Sequence, residues 1–249
     1  DSEDADFMKK QYNLQSKVEK YQNLVSKTPI VGIWDDHDYG KNDAGKEYRK
    51  KVASKKIFLS FWGESKNSTR FNHKGIYHAH FFGNENQTVQ IILLDTRTFR
   101  DKLKRNNGSG KHDYIPDNSP DKTFLGKEQW KWLEEQLKIP ATIRIIASSN
   151  QFSHEYNGFE SWNNMPLEKQ KMINLIGKTK ANGVVFISGD VHWGEISKLE
   201  TNKTYPIYDV TSSGLTKTYK RTESNKNRIG DVVNVTNFGL IEIEWKKDP

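Results

Sequence analysis

The sequence contains no cysteine, and this absence excludes two kinds of structure. Without thiols, the 249 residues offer neither a disulfide framework nor a thiolate metal site. Long apolar runs are missing too: no window approaches the roughly 18 consecutive apolar residues of a membrane-spanning helix. The first residues show neither the basic nor the apolar region of a signal peptide. Any functional site must therefore be built without thiol groups.

The composition describes a globular chain with a heavily charged surface. Hydrophobic residues make up only 34% and the mean hydropathy is -0.87, yet 249 residues are enough for one sizeable core. Lysine and arginine number 39 against 32 acidic residues, which gives a net charge of +7 and a pI near 9.2. A positive field favours anionic partners such as phosphate esters, nucleic acid or acidic lipid headgroups without choosing among them. Alternatively, the scattered lysines merely solvate helices.

A run of acidic residues follows directly on an apolar segment. Residues 30–33 predict a buried strand, and residues 34–40 then read WDDHDYG. In an open α/β sheet, ligands bind beyond the carboxyl ends of the strands. Close packing of Asp35, Asp36 and Asp38 is unfavourable unless a cation neutralises them or some stay protonated. We predict that this stretch is half of a metal site, with a solvated acidic turn as the alternative.

A second strand end repeats this arrangement about 150 residues later. Residues 184–194 read VVFISGDVHWG, in which Gly189 permits a bend that would point Asp190 and His192 at one centre. We expect both strand ends to converge on shared cations. His37 is predicted to be catalytic, either as a general acid or as a hydrogen-bond donor to phosphate; orienting a neighbouring carboxylate is the alternative.

Two further strand ends supply candidates for substrate binding. The aliphatic run 89–94 delivers Arg97, whose guanidinium is predicted to bind phosphate oxygens and to assist catalysis. An ion pair with Asp95 or Asp101 is the alternative for Arg97. The strand at 143–146 leads to Asn150 and Gln151, neutral amides that we predict to contact the substrate.

The pattern along the chain predicts an α/β fold. Apolar periodicity indicates helices at 4–27, 44–63 and 126–138, and one that Pro166 opens. Strands are predicted at 75–82, 89–94, 143–146, 184–188, 207–210 and 240–245. Alternation of helices and strands to residue 190 implies parallel pairing, and the strand-rich C-terminal end suggests a second, more antiparallel sheet.

Four motifs resemble those of the PhoD-like alkaline phosphatase D family, whose members are metallophosphoesterases of the calcineurin-like superfold. They are WDDHDYGKND at 34–43, LLDTRTFRD at 93–101, ESW at 160–162 and SGDVHW at 188–193. The resemblance covers about residues 5 to 245 and implies a single domain over residues 1–249. It also implies an α/β sandwich of two mixed sheets flanked by helices. In the family, positions matching Asp35, Asp36, Asp190 and His192 are metal ligands.

Two ligand segments of the family have no counterpart here. They are a strand that ends near a cysteine and a Gly-Asp-x-x-Tyr motif, both placed before the first matching motif. Their absence predicts that the chain is N-terminally truncated and lacks the first strands of the sandwich. The resemblance further implies calcium and iron as metal ions, with zinc or manganese as alternatives, and an extracytoplasmic location, either periplasmic or secreted.

These observations predict a metal-dependent phosphoric ester hydrolase, a phosphatase or phosphodiesterase that uses metal-activated water. The alternative is a catalytically incompetent, truncated relative that acts as an anion- or polyanion-binding module. The expected partner is a phosphate ester substrate. A transient contact with a membrane surface is compatible with the positive charge, and no stable nucleic-acid partner is expected.

Overall fold

The computed structural model describes residues 3–84, 86–108, 113–156 and 158–245. The α-helices are α1 (Ala5–Ser16), α2 (Glu19–Val25), α3 (Asp36–Tyr39), α4 (Lys51–Phe61), α5 (Gly126–Lys138) and α6 (Pro166–Thr179). The strands are β1 (His78–Phe82), β2 (Val89–Leu93), β3 (Ile143–Ala147), β4 (Val184–Ser188), β5 (Gly194–Leu199), β6 (Ile207–Ser212) and β7 (Arg228–Val233). Among the described residues, no helix combines the length and apolar character needed to cross a bilayer.

The strands form a mixed sheet in the order β1-β2-β3-β4-β6-β5-β7. Strands β2, β3, β4 and β6 run parallel, whereas β1, β5 and β7 pair antiparallel with their neighbours. The predicted α/β class is therefore confirmed. The expectation of two sheets is corrected: within the described ranges all seven strands share one sheet, because β5 pairs with β6 and β6 pairs with β4. The antiparallel strands extend the parallel part at both edges, β1 beside β2, and β5 with β7 beside β6.

Other predicted boundaries also change. Residues 30–33 and 240–245 are not strands, because no strand in the described part of the chain pairs with their backbone groups. The predicted helix 4–27 breaks between Ser16 and Glu19, where Val18 has an extended backbone. The helix expected from residue 44 starts only at Lys51, since Lys46 N bonds to the Arg100 carbonyl, 2.7 Å away, and residues 44–50 are irregular, with turns at 46–47 and 49–50.

Helices α5 and α6 cover one face of the sheet and form the main core. Alternate residues of the central strands point to this side, among them Ile92, Ile146 and Phe186, all fully buried. They belong to one cluster with Leu133 of α5 and Ile176 of α6. Removing each such side chain from water contributes about 1.5 to 3 kcal/mol. This packing holds the parallel strands in register and thereby fixes where their carboxyl ends lie.

The opposite face of the sheet borders an apolar groove of about 650 Å³. Leu93, Ile187 and Val210 line its floor, and Leu215 and Phe238 line its edge with 71% and 79% of their surface exposed. In the described part of the chain, no helix packs across this face as α5 and α6 do across the other. An apolar surface of this kind is unusual on a monomeric protein.

The loop that follows β3 is anchored from below by Lys169 of α6. Its Nζ donates to the His154 carbonyl at 3.1 Å and to Asn163 Oδ1 at 2.9 Å. Burial lowers the pKa of Lys169 from 10.5 to about 8, although Asp209 opposes the change. The folded protein therefore binds this proton less tightly than the unfolded chain does.

This difference predicts how the stability of a Lys169→Met variant compares with that of the natural chain. Between about pH 8 and pH 10.5, Lys169 is protonated in the unfolded chain but largely neutral in the folded chain. Raising the pH from 8 to 10.5 should therefore increase the free energy of unfolding of the natural chain, relative to the variant, by up to about 3 kcal/mol. Urea denaturation at both values measures it. The difference between the natural chain and Lys131→Met, an exposed control on α5, should stay constant.

Candidate metal centre

The segment that carries the acidic motif is fixed by Asp95, a fully buried residue just after β2. Its Oδ1 accepts from Trp34 Nε1 at 3.0 Å and from the backbone N–H groups of Arg97 and Thr98 at 3.0 and 2.9 Å. Its Oδ2 accepts from Ile76 N at 2.9 Å. Because a buried carboxylate left without donors would be costly, this network stabilises both the end of β2 and the position of Trp34.

Immediately after Trp34 the chain forms the one-turn helix α3, which places Asp36 next to two other acidic groups. Asp36, Asp43 and Glu160 each offer one carboxylate oxygen, and these atoms lie within 4.8 Å of one another. Asp36 also accepts from the backbone N–H groups of His37 and Asp43 at 2.8 and 3.2 Å. Burial, with the adjacent Asp35 charge, raises the pKa of Asp36. A cation would remove this penalty.

Arg97 lies beneath these carboxylates and is fully buried. Its Nε donates to Asp35 Oδ1 at 2.8 Å and its Nη1 to Glu160 Oε1 at 2.8 Å, and its Nη2 contacts both carboxylates. Arg100 Nη2 lies 2.8 Å from Glu160 Oε1. Burial alone would lower the pKa of Arg97, but Asp35 and Glu160 outweigh it and raise the pKa. The two guanidinium groups thus position Asp35 and Glu160.

The turn after β4 carries the second half of the site in an unusual backbone conformation. Asp190 and His192 have φ angles of 72° and 62°, in the left-handed region that costs non-glycine residues of the order of 1 to 3 kcal/mol each. Ser213 holds the turn, because its Oγ accepts from His192 N at 3.0 Å and its N donates to the Trp193 carbonyl at 3.1 Å. Tyr219 N adds a bond to the His192 carbonyl at 3.2 Å.

The imidazole of His192 is held flat against a neighbouring ring. It stacks on Tyr219 with the ring centroids 4.7 Å apart and an interplanar angle of 9°. Burial, and next the charges of Lys217 and His37, lower the pKa of His192. The ring is therefore biased towards the neutral form, which is the form that binds metal ions.

A cavity of about 880 Å³ is lined by both halves of the site, the acidic motif and the turn after β4. The four predicted metal ligands line it together with Asp43 and Glu160: Asp35, Asp36, Asp190 and His192. Burial, followed by the charges of Asp35 and Glu160, raises the pKa of Asp190 well above its usual value. A bound cation would favour the ionised forms of Asp36 and Asp190, which burial disfavours.

Two buried atoms near this cluster lack hydrogen-bond partners among the described residues and are suitable as metal ligands. Within the described ranges, His192 Nδ1 and Asn150 Oδ1 are buried and have no hydrogen-bond partner. Asn150 Nδ2 lies 3.5 Å from Glu160 Oε2, which places this amide beside the acidic cluster. An imidazole nitrogen and a carbonyl oxygen left without donors are suitable ligand atoms. Together with the carboxylates, the residues present fit a site for one or more cations.

The other predicted site residues occupy different depths. His37 is exposed at the mouth of the cavity, with its Nε2 3.8 Å from Asp36 Oδ2. Asn150 and Gln151 are buried, and Gln151 Nε2 donates to Glu195 Oε1 at 2.7 Å and to Thr211 Oγ1 at 3.0 Å. The structure therefore places Gln151 beneath the site, among supporting residues. The predicted substrate contacts of both amides stay predictions.

The interactions of Arg97 also differ from those foreseen. The alternative for its guanidinium was an ion pair with Asp95 or Asp101, but its partners are Asp35 and Glu160. Asp101 instead pairs with Lys46. The predicted contact of Arg97 with phosphate stays a prediction. It would require the buried ion pairs of Arg97 with Asp35 and Glu160 to open.

Sequence reasoning missed the closeness of Asp36, Asp43 and Glu160. Asp43 lies inside the first motif and Glu160 opens the ESW motif, so a signal was present for each. Their meeting depends on two long-range contacts: Tyr114 OH donates to Asp43 Oδ2 at 2.6 Å, and the arginines draw Glu160 inward. Neither contact follows from spacing along the chain.

Comparison with known families agrees with this geometry. The family model described as PhoD-like phosphatase matches residues 3–242. The chain belongs to the PhoD-like phosphatase family. Among curated proteins, it is similar to alkaline phosphatase D of Bacillus subtilis (strain 168), with 27% identity over 198 residues. That match covers 71% of this chain and 33% of the relative.

The fold is also similar to a solved structure of this family. The structure titled "Structure of PhoD" superimposes with a TM-score of 0.57 and 21% sequence identity. The match covers 73% of this chain and 39% of that one. At this identity the likeness supports the mixed α/β architecture alone. The chain thus spans about a third of the length of the curated PhoD-like relative it matches.

Proposed function

We propose that this chain carries most of the metal-binding surface of a metal-dependent phosphoric ester hydrolase. The observation that supports the proposal is the convergence of Asp35, Asp36, Asp190 and His192, from two distant strand ends, on one cavity. Carboxylate oxygens with the amide of Asn150 favour a hard cation such as calcium. The imidazole beside Asp190 suits a borderline ion such as iron, with zinc or manganese as alternatives.

The residues around the cavity would have different roles in hydrolysis. Bound metal ions would supply Lewis acidity, which activates water and offsets the negative charge gathered at phosphorus. Asp35 is held in place by Arg97, and Ser213 fixes the turn that presents Asp190 and His192. His37, exposed at the mouth, is positioned to give a proton to the leaving oxygen.

The substrate proposed is a phosphomonoester or phosphodiester, which the rim of the cavity can attract. Lys220 and Arg221 line the same cavity as the acidic cluster. Their charges would attract an anionic ester, while the carboxylates without a metal ion would repel it. Metal binding is therefore expected to precede substrate binding.

Metal replacement tests the proposal directly. Chain stripped with a chelator should neither bind phosphate nor hydrolyse p-nitrophenyl phosphate or bis-p-nitrophenyl phosphate. Adding calcium, iron, zinc or manganese, singly and in pairs, should restore hydrolysis with at least one combination, and calorimetry should show metal binding. Metal binding without turnover of either ester would contradict the enzyme. Salt-sensitive anion binding that needs no metal would favour the alternative, a non-catalytic anion-binding module.

A further inference from the structure

A second cavity of about 470 Å³ adjoins the metal centre. We call it the helical cavity; α1, α2 and α4 enclose it, and His37 and Asp38 line both it and the acidic cavity. Its walls are aromatic: the ring of Phe61 lies 4.5 Å from that of Tyr12 and stacks on that of Tyr21 at 5.9 Å, measured between centroids. A volume of this size accommodates one or two rings of a small molecule.

The few polar groups of the helical cavity restrict the ligand it can take. Asp38 accepts from Tyr12 OH at 3.3 Å and from Asp35 N at 3.4 Å. Both carboxylate oxygens already act as acceptors, so an anionic ligand group placed beside them would meet acceptors rather than donors, whereas an uncharged ring would not.

The position of His37 relates the two cavities. When a phosphate ester is hydrolysed, the P–O bond to the leaving group breaks and an oxygen of water bonds to phosphorus. The leaving oxygen takes a proton from His37, and the attacking water gives up a proton that restores the imidazole. The leaving group must therefore lie beside His37, where the helical cavity opens.

We propose that the helical cavity binds the leaving group of the substrate, and that this group is an uncharged aromatic alcohol. The inference rests on the proposed hydrolase function and deepens it by naming the class of ester. Aromatic walls favour a planar ring, and the acceptor oxygens of Asp38 disfavour an anionic one.

Phosphonates that are not hydrolysed test this without depending on turnover. On metal-loaded chain, calorimetry should show that benzylphosphonate binds about 10- to 100-fold more tightly than methylphosphonate, because its ring leaves water. 4-Carboxybenzylphosphonate should lose most of this gain, since its carboxylate faces Asp38. If methylphosphonate binds and the ring adds nothing, the inference fails while the hydrolase proposal stands. If neither phosphonate binds, both fail.

Variants that fill the cavity locate the ring. Gln11 and Gln15 lie on α1, line the helical cavity and are exposed, so a tryptophan at either position should occupy the cavity without disturbing the core. Gln11→Trp and, separately, Gln15→Trp should reduce the benzyl-to-methyl affinity ratio to about one while methylphosphonate affinity stays unchanged. Asn23→Trp, on exposed α2 surface, should keep the full ratio. A ratio preserved in both cavity-filling variants would place the ring elsewhere and overturn the inference.

Discussion

Replacing Asp190 with asparagine is expected to abolish hydrolysis almost completely. The change keeps the size of the side chain and removes the charge that, with His192, would hold a metal ion. We expect kcat/KM to fall roughly a thousandfold, equivalent to about 4 kcal/mol of transition-state stabilisation. The measurement is the steady-state hydrolysis of bis-p-nitrophenyl phosphate with the metal that best restores activity, together with the metal content of the purified variant.

A matched surface variant separates loss of the site from loss of charge. Asp231→Asn, at an exposed position of the edge strand β7 that does not line the cavity, makes the same chemical change and should leave kcat/KM within a factor of two or so. The apo form of Asp190→Asn should be at least as stable as the natural apo chain, because burial makes the ionised carboxylate of Asp190 unfavourable. Natural activity in Asp190→Asn would exclude this residue as a metal ligand.

Replacing Arg97 with methionine is expected to have the largest effect on stability. Arg97 and its partner Glu160 are both buried, and removing one member of a buried ion pair leaves the other charge without compensation. The free energy of unfolding should fall by about 3 to 5 kcal/mol, measured by urea denaturation of the metal-free chain. Arg49→Met, at an exposed position, should change it by less than about 0.5 kcal/mol.

The same variant decides between two roles for Arg97. If its guanidinium mainly positions Asp35 and Glu160, a second change, Glu160→Gln, should recover part of the lost stability, since the uncompensated charge is then gone. If Arg97 instead binds phosphate, Arg97→Lys should raise KM and leave stability nearly unchanged. A stable Arg97→Met variant with a raised KM would thus support the role predicted from the sequence and contradict the structural one.

Much of the fold could be predicted because local patterns and tertiary packing agree. The helix predicted at 126–138 has those bounds in the structure, since Trp130, Leu133 and Leu137 recur at helical spacing and pack on the sheet. Strand β4 likewise follows from its short aliphatic run. Strands β5 and β7 were missed, because both are partly exposed, β7 at the edge of the sheet and β5 beside it, and their pairing partners rather than their own residues define them.

The segment before the acidic motif shows where periodicity misleads. Four consecutive small and aliphatic residues at 30–33 predict a strand, but a strand exists only where a neighbour supplies hydrogen bonds. Close contact with Trp62 explains the glycine instead: a Cβ at Gly32 would lie 2.5 Å from that ring. The sequence indicates that this stretch packs tightly, and it does not show against what.

The candidate site was predictable to the extent that it follows the ends of strands. Asp190 and His192 come directly after β4, so the parallel sheet brings them to the edge where β2 and β3 also end. Asp35 and Asp36 join them because Trp34 is hydrogen-bonded to Asp95, just beyond β2. The acidic trio was not predictable, since loop contacts with no sequence periodicity bring Asp43 and Glu160 to Asp36.

The apolar groove on the uncovered face of the sheet governs how the 249-residue chain should behave in concentrated solution. The net charge of +7 keeps molecules apart at low ionic strength. At 0.1 M salt the Debye length falls to about 10 Å, so this repulsion is largely screened. The hydrophobic attraction between solvent-exposed apolar surfaces, such as that around Phe238, persists. Solubility should therefore fall as the buffer becomes more saline, and dilute, low-salt conditions should keep the chain monomeric.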